Sequence, residues 1–255
     1  MFYEPVRDDH GLPYNPFKSI CVPRPIGWIS TLDLQGRVNL APYSQFQNIG
    51  YDPPFVMFSA SAGDQHSPRN ARQTGEFVCN MATYELRDAV NITAQAVPAD
   101  ESEPELAGLE MLPSRLVRPP RVARSPVHME CRYHSSLMLP TRTPGISVEV
   151  IIGEVVGVHI RDDALTPEGR LDITRIRPLA RMGYLDYTAI DTVFTMPPIG
   201  GARRRLSRGL EGRPLRSATA PDDAPPDPPA EVRTGAPAGA ASDSEERVAG
   251  GAAPA

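Results

Sequence analysis

The sequence predicts a mainly β fold: an antiparallel, Greek-key-like sheet rolled into a closed or split barrel, with short helices at its margin. Three observations carry this. Runs rich in β-branched and aromatic residues recur at 26–32, 38–46, 55–60, 76–81, 127–139 and 146–160, the composition that suits pleated, half-buried backbone. Helical periodicity is confined to short stretches. The regular strand–helix alternation of a doubly wound parallel sheet is missing.

Each element has a local reason. Residues 1–22 read as an extended lead-in, because Pro5, Pro13 and Pro16 oppose regular structure. Residues 26–32 form an apolar strand, and 33–36 have turn chemistry ending at Gly36. Residues 38–46 return as a second strand and 55–60 make a third. A short helix is expected over 67–74, with Ser67 as N-cap and Pro68 at the first helical position. Residues 76–81 are a strand. Residues 84–94 place Leu86, Val90 and Ile92 on a helical period. The Pro- and Glu-rich stretch 97–126 reads as loop. Two long strands follow at 127–139 and 146–160. In the second, Val148, Val150 and Ile152 alternate with Glu149 and Ile151, which implies burial on both faces over part of its length.

Composition divides the 255 residues in two. No aromatic residue follows Phe194, and 202–255 is dominated by Ala, Pro, Gly, Arg and acids. Such a stretch buries too little apolar area to offset its chain entropy, so 1–201 is expected to fold and 202–255 to form a disordered tail. The net charge of −5 falls on 1–201, and the tail is neutral overall. A mildly acidic domain is a poor partner for nucleic acid, which needs a basic face. Lys18 is the only lysine, which leaves no P-loop or Schiff-base lysine in this fold. Cys21, Cys79 and Cys131 are widely spaced, without a metal-ligand or C-x-x-C pattern. They are expected to be reduced thiols of a cytoplasmic protein. The first residues carry no apolar signal-peptide core, and no stretch approaches a membrane span.

The small hydroxyls Ser30, Thr31, Ser44 and Ser59 recur inside apolar strands. A buried hydroxyl is costly without a partner, and a bound ligand rich in acceptors is one such partner. The surrounding motifs are P-R-P-I-G-W-I-S-T-L-D at 23–33, G-R-V-N-L-A-P-Y-S at 36–44 and D-P-P-F-V-M-F-S at 52–59. S-P-R-N-A-R-Q-T-G-E-F-V-C-N follows at 67–80, V-I-I-G-E-V-V-G-V-H-I at 150–160 and R-P-L-A-R-M-G-Y-L-D-Y at 177–187. In this co-linear order they resemble the flavin reductase-like family of FMN-binding split barrels, over roughly residues 1–195.

The resemblance implies a fold, a cofactor and a set of contacts. FMN would lie along 28–31 and 41–46, with Ser30, Thr31 and Ser44 bonding the flavin, Ser59 nearby, and Trp28 and Tyr43 packed close to it. The phosphate would sit at 63–70, where a helix N-terminus offers free N–H groups and His66, Ser67, Arg69 and Asn70 could add contacts. The family often has a lysine and an aspartate just before the hydroxyl residue; this chain has Gln65 and His66 there. Arg181, Tyr184 and Tyr187 belong to a segment that the family places near the cofactor and the dimer contact, where Gly183 would allow close backbone approach. The five histidines, His10, His66, His128, His134 and His159, show no paired metal spacing. No Ser-His-Asp or Cys-His arrangement stands out either. Hydride transfer from NADH or NADPH to FMN needs neither, because the cofactor carries the chemistry. The absence of G-x-G-x-x-G excludes a Rossmann mode for the nicotinamide. The resemblance thus points to an NAD(P)H-dependent FMN reductase working as a homodimer, with a flavin-dependent monooxygenase as a potential partner. A non-enzymatic FMN electron carrier or a scaffold protein is the alternative.

Overall fold

The structure, a computed structural model, describes residues 1–7, 9–61, 65–98, 101–196 and 233–234. The chain divides into two compact units, Met1–Val193 and Phe194–Ala255. Apart from a two-residue strand at Arg233–Thr234, the expected tail lies outside the described residues.

In the first unit β1 is Arg24–Pro25, β2 Gly27–Leu32, β3 Val38–Tyr43, β4 Phe46–Tyr51 and β5 Pro54–Ser61. Helix α1, His66–Thr74, leads into β6, Glu76–Met81. The short helices α2, Arg87–Ile92, and α3, Glu103–Leu106, follow, then β7, Met111–Leu112, and β8, Arg121–Val122. The long strands are β9, Val127–Pro140, and β10, Ser147–Ile160; α4, Ile173–Ile176, β11, Leu179–Gly183, and β12, Asp186–Ala189, come next. One seven-stranded sheet runs β3-β2-β6-β9-β10-β5-β4, with every pairing antiparallel.

This sheet rolls until its two ends meet. The Phe46 ring at the start of β4 lies so close to Gly27 of β2 that a Cβ there would sit 2.5 Å from Phe46 Cδ2. Only a residue without a side chain allows that seam. The inner face packs Ile29, Val56, Phe58, Phe77, Cys79, Cys131, Ile151 and Val155 into one cluster. The outer face packs Ile26, Trp28, Leu40, Leu86, Val90, Val122 and Leu179 into another. Trp28 and Ile29 are successive residues and point into opposite clusters, as the two-residue period of a strand requires.

Several expectations are corrected. The 38–46 strand ends at Tyr43, and a separate β4 follows that the sequence did not suggest. Gln47, Asn48 and Gly50 are poor strand formers, and β4 is an edge strand paired only with β5. Helix α1 starts one residue early, with Gln65 at the N-cap and no side-chain cap bond. Ser67 is therefore inside the first turn, where its hydroxyl bonds a neighbouring strand rather than its own helix. The 84–94 helix is a 3-10 turn at Tyr84–Leu86 followed by α2. The 97–126 loop contains α3 and the β7–β8 pair. On β10, Ile151, Gly153 and Val155 are buried while alternate residues are half-buried, so one face is sealed and the other only partly covered. His134 is the extra residue of a β9 bulge, where the β9–β10 register shifts between Tyr133 and Ser135, and its ring meets Phe55 edge-on at 5.3 Å.

Glu130 ties the 115–117 loop to the barrel. Fully buried on β9, its carboxylate accepts the backbone N–H groups of Arg115 at 2.8 Å, Leu116 at 2.6 Å and Val117 at 3.2 Å. His159 Nε2 lies 2.5 Å away. Burial pushes this carboxyl up, but the backbone donors and His159 together outweigh it and hold it below the usual range.

Candidate functional site

A cavity of about 380 Å³ opens where the end of β3, the middle of β5 and the start of α1 converge. Its walls are Pro42 to Gln45, Ser59 and Ala60, Gln65 to Ser67, the strap Thr93 to Val97, and, beneath them, Asn39 and Glu103. Thr93 anchors the start of the strap, since its hydroxyl accepts Trp28 Nε1–H at 2.8 Å and donates to Val90 O at 3.1 Å. At the far end, Glu103 Oε2 accepts Leu40 N–H at 3.3 Å.

A hydrogen-bonded chain lines the floor. Tyr43 bonds Ser67, and Ser67 Oγ donates to Asn39 Oδ1 at 2.8 Å. The Asn39 amide, oriented by these neighbours, donates to Glu103 Oε1 at 3.1 Å and to His66 Nδ1 at 3.3 Å. An imidazole that accepts at Nδ1 carries its proton on Nε2 when neutral, so His66 is held as a hydrogen-bond donor at Nε2. Burial pushes the Tyr43 phenol up to about 12, the Ser67 bond opposing and the Glu103 charge adding, so the phenol keeps its proton at neutral pH. Burial also raises the Glu103 carboxyl, against its backbone bonds and the His66 charge. A smaller hollow shares Asn39, His66 and Glu103 and adds Asp33, Arg37, Arg69, Asn70 and Glu101.

The cavity brings together five of the residues singled out from sequence: Tyr43, Ser44, Ser59, His66 and Ser67. Arg69 and Asn70 line the smaller hollow. Trp28, Ser30, Thr31 and Arg181 line neither. Trp28 is fully buried in the outer-face cluster. Ser30 Oγ donates to Pro120 O at 2.5 Å and accepts from Asn80 at 3.2 Å. Thr31 Oγ1 accepts from Asn70 Nδ2 at 3.1 Å. The premise that a buried hydroxyl needs a partner therefore holds for Ser30 and Thr31, and protein groups supply those partners. Arg181 of β11 bonds the Tyr187 hydroxyl and Tyr184 O in the β1-β11-β12 sheet. Gly183 permits a close backbone approach, at φ 99° with a would-be Cβ 2.7 Å from Lys18 O, but the neighbour is this chain's own lead-in. Gly63 and Asp64 of the expected phosphate segment lie outside the described residues.

Asn39, Thr93 and Glu103 were missed, and Gln45 falls within the expected 41–46 stretch without being singled out. Asn39 carried a signal, since asparagine is depleted from strand interiors and one there asks for a partner. Glu103 carried none, because a glutamate in a Pro- and Glu-rich stretch reads as solvated. The three cysteines are free, with Cys79 and Cys131 buried. Among the described residues no His, Cys, Asp and Glu group could hold a metal ion. No helix among them is long and apolar enough to cross a membrane.

Comparison with known proteins agrees with this fold. The family model for the flavin reductase like domain matches residues 19–180. A protein of Aquifex aeolicus is 32% identical over 174 residues, 67% of this chain and 86% of its own length. Nitrilotriacetate monooxygenase component B from Bacillus cereus superposes with a TM-score of 0.69 at 27% identity, over 74% of this chain and 95% of that one. A split barrel domain protein of Shewanella frigidimarina gives 0.69 at 23% identity, over 78% and 100%, and supports the fold. The match spans most of the rolled sheet, both walls of the cavity and the α1 N-terminus, and on that ground the chain belongs to the flavin reductase like domain family.

Proposed function

We propose that the cavity binds FMN and that the protein transfers hydride from NADH or NADPH to it, as a homodimer that supplies reduced flavin to a monooxygenase. The observation that carries this is the cavity itself. Its volume of about 380 Å³ lies within the range of cofactor pockets, roughly 300–1,000 Å³. The hydroxyls of Ser44 and Ser59 and the amide of Gln45 suit the polar edge of a ring system, while Ala41, Pro42 and Ala60 offer apolar contact. The start of α1 presents backbone N–H groups to a phosphate; Pro68 has none to give, which leaves His66, held with Nε2–H as donor, as a further contact.

Bound flavin would supply the hydride chemistry. The chain's residues bind and orient. Tyr43, bonded to Ser67 and packed at a tilt against Phe58 with ring centroids 4.9 Å apart, forms one wall of the cavity, and the Thr93–Val97 strap forms another. The name of the Bacillus cereus neighbour supports the monooxygenase partnership. The test is purification followed by visible absorbance for bound flavin, then stopped-flow reduction with each nicotinamide. Binding of FMN with rapid reduction is expected. A protein that binds no flavin sinks the proposal, and one whose bound FMN neither nicotinamide reduces retains only the binding part.

A further inference from the structure

The anion end of the cavity contains a carboxylate. Glu103 is only 5% exposed, yet it lines both the main cavity and the smaller hollow. Asn39 bridges it to His66 at the start of α1, the place where the proposed function puts a phosphate. We propose that Glu103 is a specificity-determining residue that sets the charge this site accepts, so that ionised Glu103 holds back a phosphorylated flavin while leaving the uncharged riboflavin unaffected. The inference rests on the flavin reading and deepens it.

The argument is electrostatic. A buried carboxylate beside a bound phosphate repels it more strongly than the same pair would in water. The neighbours decide how much is cancelled. From α1 come His66 and Arg69, from the β2–β3 turn Asp33 and Arg37, from β3 Tyr43, and from the stretch before α3 Glu101. Arg37 is already engaged by Asp33 at 2.6 Å. Tyr43 stays neutral and brings no positive charge. Arg69 is the other arginine of the hollow, and His66 meets Glu103 through Asn39, whose amide its Nδ1 accepts. Burial raises the Glu103 carboxyl above its ordinary value. Protonation of Glu103 removes the repulsion and leaves one carboxyl oxygen as a full acceptor, which keeps either the Leu40 bond at Oε2 or the Asn39 bond at Oε1.

The experiment compares dissociation constants of FMN and riboflavin for the full chain and for Glu103→Gln, by fluorescence titration across pH. The phosphate of free FMN titrates identically in both titrations, so the difference between the two proteins isolates Glu103. At about pH 8, Glu103→Gln is expected to shift preference towards FMN about tenfold relative to riboflavin, the effect of one pKa unit of interaction. This gap should close as pH falls and the wild-type carboxyl takes its proton. Circular dichroism verifies folding, and Glu103→Ser serves the same comparison if the glutamine variant does not fold. An unchanged FMN-to-riboflavin ratio at every pH overturns the inference, as does an equal change for both ligands, which would make Glu103 a determinant of shape. If neither protein binds either flavin, the flavin reading itself fails, and this inference with it.

Discussion

Acid should destabilise the barrel through one buried imidazole. His128 on β9 is 5% exposed, its Nε2 lies 2.8 Å from Val122 O, and its Nδ1 finds no hydrogen-bond partner among the described residues. The neutral tautomer with the proton on Nε2 satisfies this site. A second proton on Nδ1 would have no acceptor and would face the charges of Arg121, His159 and Arg161. Burial, followed by those charges and against the bond to Val122, moves His128 from 6.5 down to about 4. The folded pKa is below the unfolded one, so the unfolded chain binds the proton first as pH falls. The stabilisation is complete above about pH 6.5 and is lost progressively towards pH 4. Fully expressed, that shift is worth about 3 kcal/mol, or roughly 6–12 °C in melting temperature for a domain of this size. Glu130, held below its usual range, acts in the same direction at lower pH, where its loss of charge releases the 115–117 loop. The assay is thermal unfolding at constant ionic strength across this window, for the wild type and for His128→Gln, whose amide can still donate to Val122 O. The variant should be less stable at neutral pH and show a flatter pH dependence between 6.5 and 4. Identical slopes in the two proteins would refute the assignment.

Further outcomes are expected. Gly27→Ala should cost about 1–3 kcal/mol, because its Cβ meets Phe46 at the seam, and chemical denaturation would show it as a lower midpoint; a neutral result would mean the seam can open. Arg69→Ala should weaken FMN binding more than riboflavin binding, since only FMN carries the phosphate; equal losses by equilibrium dialysis would place Arg69 away from it. Removing 202–255 should leave the melting temperature and flavin binding unchanged, because both buried clusters lie in Met1–Val193; a large drop in either would assign the segment a structural role. Light scattering at micromolar concentration should find a homodimer that FMN strengthens by linkage, and a strict monomer with and without FMN would remove the homodimer from the proposal.

The strands of the barrel were legible because their cause is local. Two-residue alternation and β-branched side chains specify extended backbone wherever they occur, and they placed β2, β5, β6, β9 and β10 within about two residues. The same alternation sends Trp28 and Ile29 to opposite faces. It does not say what each face meets. Trp28 looked like a ring that could lie beside a ligand, and the structure buries it against Thr93, 65 residues away. β4 was invisible because its residues have little strand preference; it is extended because β5 offers an open edge to pair with. The cavity divides along the same line. Tyr43, Ser44 and Ser59 sit on strands whose pattern could be read, and His66 and Ser67 on a helix start with recognisable chemistry. Glu103 lines the cavity only because α3 folds back onto β3, 63 residues from Leu40. Sequence periodicity determines which segments are extended and which side chains share a face. Only the order in which the sheet brings distant segments together decides which polar groups are left facing a ligand.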